Sequence, residues 1–259
     1  MHVIIPPLKM HSGQHDIMQS KARFKVISAG RRFGKTLLAC EWLALSKGSA
    51  MDGRRTALFA PIYKDLIDVW NSITNTILPL IKTQNKVERR IELYTGGVIE
   101  FWTLENINSG RGRKYHRIVI DEAAHSKNLQ VSWERAIAPT LTDFCGEAWF
   151  ISTPNGDNFF KQLHKRGGSN NWESWQLPTS TNPYISTEEI DRFRLELPEL
   201  VFKQEYLAEF VAFGAGLVKP EYIVNAPCPS DMQLVIGVDL AISEKSTADW
   251  TVMSVMGRD

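Results

Sequence analysis

The run Ala29-Gly30-Arg31-Arg32-Phe33-Gly34-Lys35-Thr36 constrains the fold more than any other stretch of this chain. It follows residues 24–28 (FKVIS), which have the make-up of a buried strand. It precedes apolar residues at helical spacing over 36–46. A glycine-bearing turn between strand and helix lets backbone N–H groups face phosphate oxygens, and the helix N-terminus adds partial positive charge. The whole run from Ala29 to Thr36 is therefore a candidate nucleotide contact. Lys35 is expected to hold the β- and γ-phosphates and Thr36 to ligate Mg2+. One position departs from the pattern G-x-x-x-x-G-K-[ST]: Ala29 stands where the first glycine falls, which leaves Gly30 to make the turn.

A second apolar run, Ile118-Val119-Ile120, ends in adjacent carboxylates, Asp121 and Glu122. At a strand tip beside a phosphate-binding loop, Asp121 is expected to bind Mg2+ directly or through water. Glu122 is expected to orient and deprotonate the attacking water. A third strand-like run, 148–152, leads into Ser152-Thr153-Pro154-Asn155-Gly156. Hydroxyls placed there can sense a γ-phosphate, although Pro-Asn-Gly also makes an ordinary turn. His116 and His125 lie near these motifs at spacings that suit supporting or surface roles rather than metal ligation.

Between the motifs, strands alternate with helices. Strand-like runs recur at 56–60, 117–121 and 148–152, and helical spacing at 12–20, 63–78, 129–137 and 158–165. Residues 87–93 and 98–103 flank Thr95-Gly96-Gly97 as a hairpin. Ser186 and Glu189 read as a capping box that opens a helix to Leu197, and a second helix follows over 201–210. Short apolar strands alternating with helices predict an α/β fold, a mostly parallel sheet covered on both faces. Residues 212–232 lose all period and read as a linker. Residues 234–239 and 250–256 then read as two further strands.

Charge adds to this only through its placement. The chain has a net charge of +1, but residues 21–35 carry six basic residues and no acidic one. Arg111, Arg113, Lys114 and Arg117 form a second cluster. Both lie in or beside the motifs, as phosphate binding requires. Three cysteines without close spacing argue against a zinc site and a disulfide framework. The apolar runs are too short to span a bilayer, and the N-terminus lacks the pattern of a signal peptide.

Taken together, GRRFGKT, VIDEAAH, STPNG and, later, VIGVDLA with ADWTVMSV resemble the large terminase subunits of tailed bacteriophages. The resemblance runs over nearly the whole chain. It implies a P-loop (RecA/ASCE-like) ATPase domain over 1–211, a linker over 212–232, and the incomplete beginning of an RNase H-like nuclease domain over 233–259. It implies ATP with Mg2+ as cofactors, and Mg2+ or Mn2+ for a complete nuclease. The implied function is a motor that drives double-stranded DNA into a procapsid. Portal protein, small terminase subunit and a homo-oligomeric ring are its partners, in the host-cell cytoplasm at the portal. The STPNG segment would couple hydrolysis to movement, and Arg31 matches the family's arginine inside the loop. Gln14 matches a glutamine that reads adenine, with Gln19 as a rival. Arg111 matches an arginine that in some members reaches a neighbour's ATP, and Arg113 stands close enough to compete. Asp239 matches the first metal-binding aspartate of the nuclease, with Asp249 as a further candidate. Two other readings compete. DEAAH echoes the DEAH of superfamily 2 helicases, but residues after 215 are too few for the second RecA-like domain such an enzyme needs. A non-translocating nucleotide switch would not need Glu122.

Overall fold

The computed structural model of the chain describes residues 8–169, 171–211, 233–239 and 252–258. Tertiary contacts divide the chain into two units, Met1–Phe213 and Gly214–Asp259.

The first unit is built on one eight-stranded sheet. Its strands are β1 (Phe24–Ala29), β2 (Arg55–Ala60), β3 (Ile81–Asn85), β4 (Arg90–Leu93), β5 (Val98–Thr103), β6 (Arg117–Asp121), β7 (Glu147–Ser152) and β8 (Trp172–Leu177). Their spatial order is β3-β4-β5-β2-β6-β7-β1-β8. From β5 to β8 every pairing is parallel, and only the β3–β4 and β4–β5 pairings are antiparallel. The helices are α1 (Ser12–Gln19), α2 (Lys35–Ala44), α3 (Tyr63–Ile77), α4 (Leu129–Ser132), α5 (Phe159–His164), α6 (Thr187–Glu196) and α7 (Glu199–Glu205).

Both faces of the sheet are buried, which explains why its central strands read as unbroken apolar runs. Ile27, Val119, Trp149 and Ile151 point to a core shared with Ile17 of α1, Leu38 and Leu43 of α2, and Ile73 of α3. Their neighbours Val26, Ile118, Ile120 and Phe150 point the other way, to Leu129 of α4 and Phe160 of α5. Lys25 shares the first face. Its ammonium donates to the carbonyls of Ile17 and Ser20 at 2.8 Å and lies 5.0 Å from the Trp149 ring centroid. That bond set ties the C-terminal end of α1 to the sheet. Burial pushes the Lys25 pKa down to about 8.

Several expectations need correction. Residues 87–89 do not continue a strand, and Val87 is 92% exposed. The hairpin is β4–β5, extended outward by β3. Residues 172–177, which carry no unbroken apolar run, form strand β8. Helical spacing over 129–137 is realised as four residues of α4, then a wide π turn over Trp133–Ile137 and a tight turn over Ala138–Leu141. Pro139 has no N–H to offer a regular helix there. The Ser186 side chain makes no capping bond to α6, and the helix after Pro198 is Glu199–Glu205. In the second unit, β9 (Gln233–Asp239) and β10 (Val252–Arg258) pair antiparallel. The linker at 212–232 and Asp249 lie outside the described residues, and so does the side chain of Asp239.

Candidate active site

The motif-bearing strands β6, β7 and β1 lie side by side, with Ser28 opposite Ser152 and Ile151 opposite Asp121. Parallel pairing brings all of their C-terminal ends to one edge, where ligands bind in open α/β sheets. The glycine-bearing loop leaves β1 and Glu122 follows β6. Ser152 ends the strand between them.

The loop's conformation follows from its residues. Gly34 adopts φ 94°, a left-handed conformation that glycine takes without a Cβ clash, and forms the N-cap of α2. Ala29, the departure from the usual glycine, closes β1 and is fully buried. Gly30 is required for a different reason. A Cβ on it would lie 2.5 Å from Thr179 Oγ1 and 2.7 Å from the Tyr206 carbonyl. Three loop amides are already used, Gly30 N–H by the Leu177 carbonyl, Arg31 N–H by the Glu205 carbonyl and Phe33 N–H by the Gly30 carbonyl. The N–H groups of Arg32, Gly34, Lys35 and Thr36 are left to face a ligand, as the first turn of a helix leaves its donors.

A cleft of about 750 Å3 opens over this edge, bordered by Arg31, Arg32, Lys35, Thr36, Glu122 and Thr153, with Asp65 and His125 beside them. The Lys35 ammonium donates to the carbonyls of Ala29 (2.8 Å) and Gly30 (3.2 Å). Burial pushes its pKa down, against the attraction of Glu122 and Asp121. Thr36 Oγ1 donates to Asp121 Oδ2 at 3.1 Å, and Asp121 Oδ1 accepts from Glu122 N–H at 2.9 Å. Asp121 is 4% exposed. Burial first, and the Glu122 charge second, raise its pKa to about 7. A buried carboxylate so disfavoured as an anion, touching a threonine hydroxyl, suits a divalent cation arriving with a nucleotide. Mg2+ takes few protein ligands when phosphates supply the others. Among the described residues no group of three His, Cys, Asp or Glu side chains could hold a metal by itself.

Glu122 sits at φ 46°, ψ 43°, a region few residues other than glycine occupy. Ser152 Oγ donates to its Oε2 at 3.2 Å, and His125 Nε2 lies 3.8 Å from the same oxygen. His125 also stands 3.4 Å from Thr153 Oγ1 and 3.4 Å from Asn155 Nδ2. This histidine therefore stands between the carboxylate and the STPNG segment, the supporting one of the two roles its spacing suits. Asp65, at the start of α3, also borders the cleft, and nothing local in sequence marks it as a cleft residue.

The remaining candidates separate clearly. Gln14 is buried behind the loop, where its amide donates to the Gly34 carbonyl at 3.2 Å and accepts from His11 N–H at 3.2 Å. Gln19 is exposed and faces His15. Arg111 is exposed, bonds Asn108 Oδ1 at 3.3 Å, and does not border the cleft of its own chain. Arg113 is drawn aside to Glu100 (3.9 Å) and the Trp102 ring. His116 stacks on Phe144 and accepts from Arg55 N–H, well removed from the motifs' edge.

Loop, strand order and carboxylate pair are together those of P-loop nucleotide-binding domains. Within that class the chain belongs to the large terminase subunits. The family model described as terminase large subunit, T4-like-virus type, N-terminal, matches residues 26–217. The large terminase subunit of Escherichia phage T5 is 29% identical over 199 residues, covering 74% of this chain and 44% of the relative. The ATPase domain of the Thermus phage P74-26 large terminase superposes with a TM-score of 0.63 at 25% identity, covering 78% of this chain and 94% of that one. The large terminase of a thermophilic bacteriophage, solved with ADP, superposes with a TM-score of 0.65 at 11% identity, covering 96% of this chain and 65% of that one. The chain spans about half the length of the curated relatives it matches.

Proposed function

We propose that the first unit is the ATPase of a viral DNA-packaging motor, which couples ATP hydrolysis to translocation of double-stranded DNA into a procapsid. The observation that carries this is the meeting of Lys35, Thr36, Asp121, Glu122 and Ser152 at one sheet edge, from three neighbouring strands. In this reading the loop amides and Lys35 bind the phosphates, and Thr36 with Asp121 would hold Mg2+. That ion supplies charge neutralisation at the β- and γ-phosphates. Glu122 takes the proton from the attacking water. Ser152 fixes the Glu122 carboxylate, and His125 links it to Thr153 and Asn155, so a change at the carboxylate reaches the STPNG turn. Gln14 sets the position of Gly34 from behind and meets adenine only if its amide exchanges partners. Portal protein, small terminase subunit and a ring of copies in the host cytoplasm complete the motor. Asp239, ending β9, belongs to its nuclease.

Lys35→Ala is expected to abolish ATP turnover, because no other cation in the loop lies behind the phosphates. Steady-state phosphate release decides this, and wild-type turnover would reject the site.

DNA requires cations away from the nucleotide. A second cleft, of about 680 Å3, is lined by Arg55, Arg89, Arg90 and Arg113, with Glu88 and Glu100 among them. In this reading those arginines meet the phosphate backbone. Arg89→Ala and Arg113→Ala should each weaken duplex binding regardless of sequence and lower the salt slope by about 1. Binding titrations across salt concentrations test this. Unchanged slopes would move DNA off this surface.

A further inference from the structure

We propose that Glu205 is the positioning residue for Arg31: it aims the loop arginine at the phosphates of the bound nucleotide. This rests on the proposed function, in which the loop that carries Arg31 binds those phosphates.

Arg31 is held at three points. Its N–H donates to the Glu205 carbonyl at 2.7 Å, its carbonyl accepts from Thr179 Oγ1 at 2.8 Å, and its Nε donates to Glu205 Oε2 at 2.5 Å. The two side chains differ sharply in exposure, 68% for Arg31 and 14% for Glu205. Glu205 is the fixed member. It sits at the end of α7, packed beneath the loop, and its other oxygen accepts from Gln204 Nε2 at 3.1 Å. Burial alone would raise the Glu205 pKa, but the bonds from Arg31 and Gln204 outweigh it and hold the carboxyl below its usual range.

The choice of nitrogen matters. A guanidinium is a rigid planar fork. With Nε anchored, both terminal nitrogens stay available, and Arg31 borders the cleft with Lys35 and Glu122. Anchoring at Nε leaves a two-pronged donor that matches phosphate oxygens. Without the anchor, an exposed arginine must give up its rotamer freedom each time phosphate charge develops. The geometry thus separates two roles Glu205 could have. A carboxylate gripping both terminal nitrogens would compete with phosphate and act as a latch. One gripping Nε orients the side chain and does not compete.

The test is a double-mutant cycle in steady-state ATPase, with binding of a fluorescent ATP analogue measured beside it. Arg31→Ala should lower kcat by about 10²- to 10³-fold. Glu205→Ala should lower kcat by about 10-fold and leave KM within about two-fold, because the interaction lost is one made in the transition state. The double variant should be no slower than Arg31→Ala, since an anchor has no effect once the side chain it holds is gone. Glu205→Gln keeps an acceptor for Nε and should recover most of the rate. It also supplies the comparison if the alanine variant folds poorly. Penalties that multiply in the double variant, a Glu205→Ala enzyme with wild-type kcat, or one that binds ATP more tightly would each overturn the positioning role. If Arg31→Ala itself turns over at the wild-type rate, the assignment of Arg31 to the phosphates fails first, and the proposal falls with it.

Discussion

Glu122→Gln is expected to bind ATP with unchanged affinity and hydrolyse it about 10²- to 10⁴-fold more slowly. The amide keeps the shape of the carboxylate and can still accept from Ser152 Oγ, so the loop and the Thr36–Asp121 contact are undisturbed. What it loses is basicity. The backbone supports a chemical role for this side chain. A left-handed conformation at a non-glycine residue costs about 1–3 kcal/mol and persists where surrounding structure enforces it. Here it turns the side chain of Glu122 toward Ser152 and the cleft while Asp121 stays buried. Single-turnover hydrolysis, measured beside nucleotide binding, separates the two effects. Equal losses of binding and turnover would mean that Glu122 shapes the site rather than acting in it.

The parts of this site that could be read from sequence are those whose chemistry is continuous along the chain. The strand, loop and helix from Phe24 to Ala44 announce themselves because the N–H groups, the ammonium of Lys35 and the hydroxyl of Thr36 come from neighbouring residues. The tip of β6 is legible for the same reason. What escaped depends on pairings distant in sequence. Strand β8 is an edge strand whose residues are mostly half-buried, WESWQL, following glycines and asparagines, so it shows no unbroken apolar run. Its partner β1 lies far back in the chain. Glu205 meets Arg31 across 174 positions, with nothing local to mark it. The basic clusters misled in part. Lys25 is an internal tie to α1, and the Arg117 guanidinium donates to the carbonyls of Trp42 and Lys47. Neither charge is displayed to a phosphate. The helix expected over 129–137 forms, as α4 and then a π turn, and apolar spacing reports only which residues face the core. It does not report whether each N–H finds a partner four residues back, and Pro139 offers none.

In the proposed ring, Arg111→Ala should leave ATP binding intact and remove the acceleration expected on assembly. The arginine stands in the loop between β5 and β6, exposed, and outside the cleft of its own chain. Arg113, its neighbour in sequence, is engaged by Glu100 on the second cleft. A guanidinium presented outward from one subunit can complete the site of the next, and it stays charged whatever the local pH. Hydrolysis then waits for the neighbour to dock, which gives a ring of motors a physical reason to fire in turn. An arginine supplied this way is worth about 10³ to 10⁵ in rate. The isolated chain should therefore turn over slowly, with activity rising more than linearly with its concentration. Mixing Arg111→Ala with Glu122→Gln gives the decisive comparison. Neither variant has both groups, but in a mixed assembly an intact Glu122 can face an intact Arg111. Recovered activity in the mixture would establish action between subunits. A mixture that stays inactive under conditions where the wild type assembles would confine Arg111 to its own chain, and Arg31 would then have to supply the positive charge that the γ-phosphate requires.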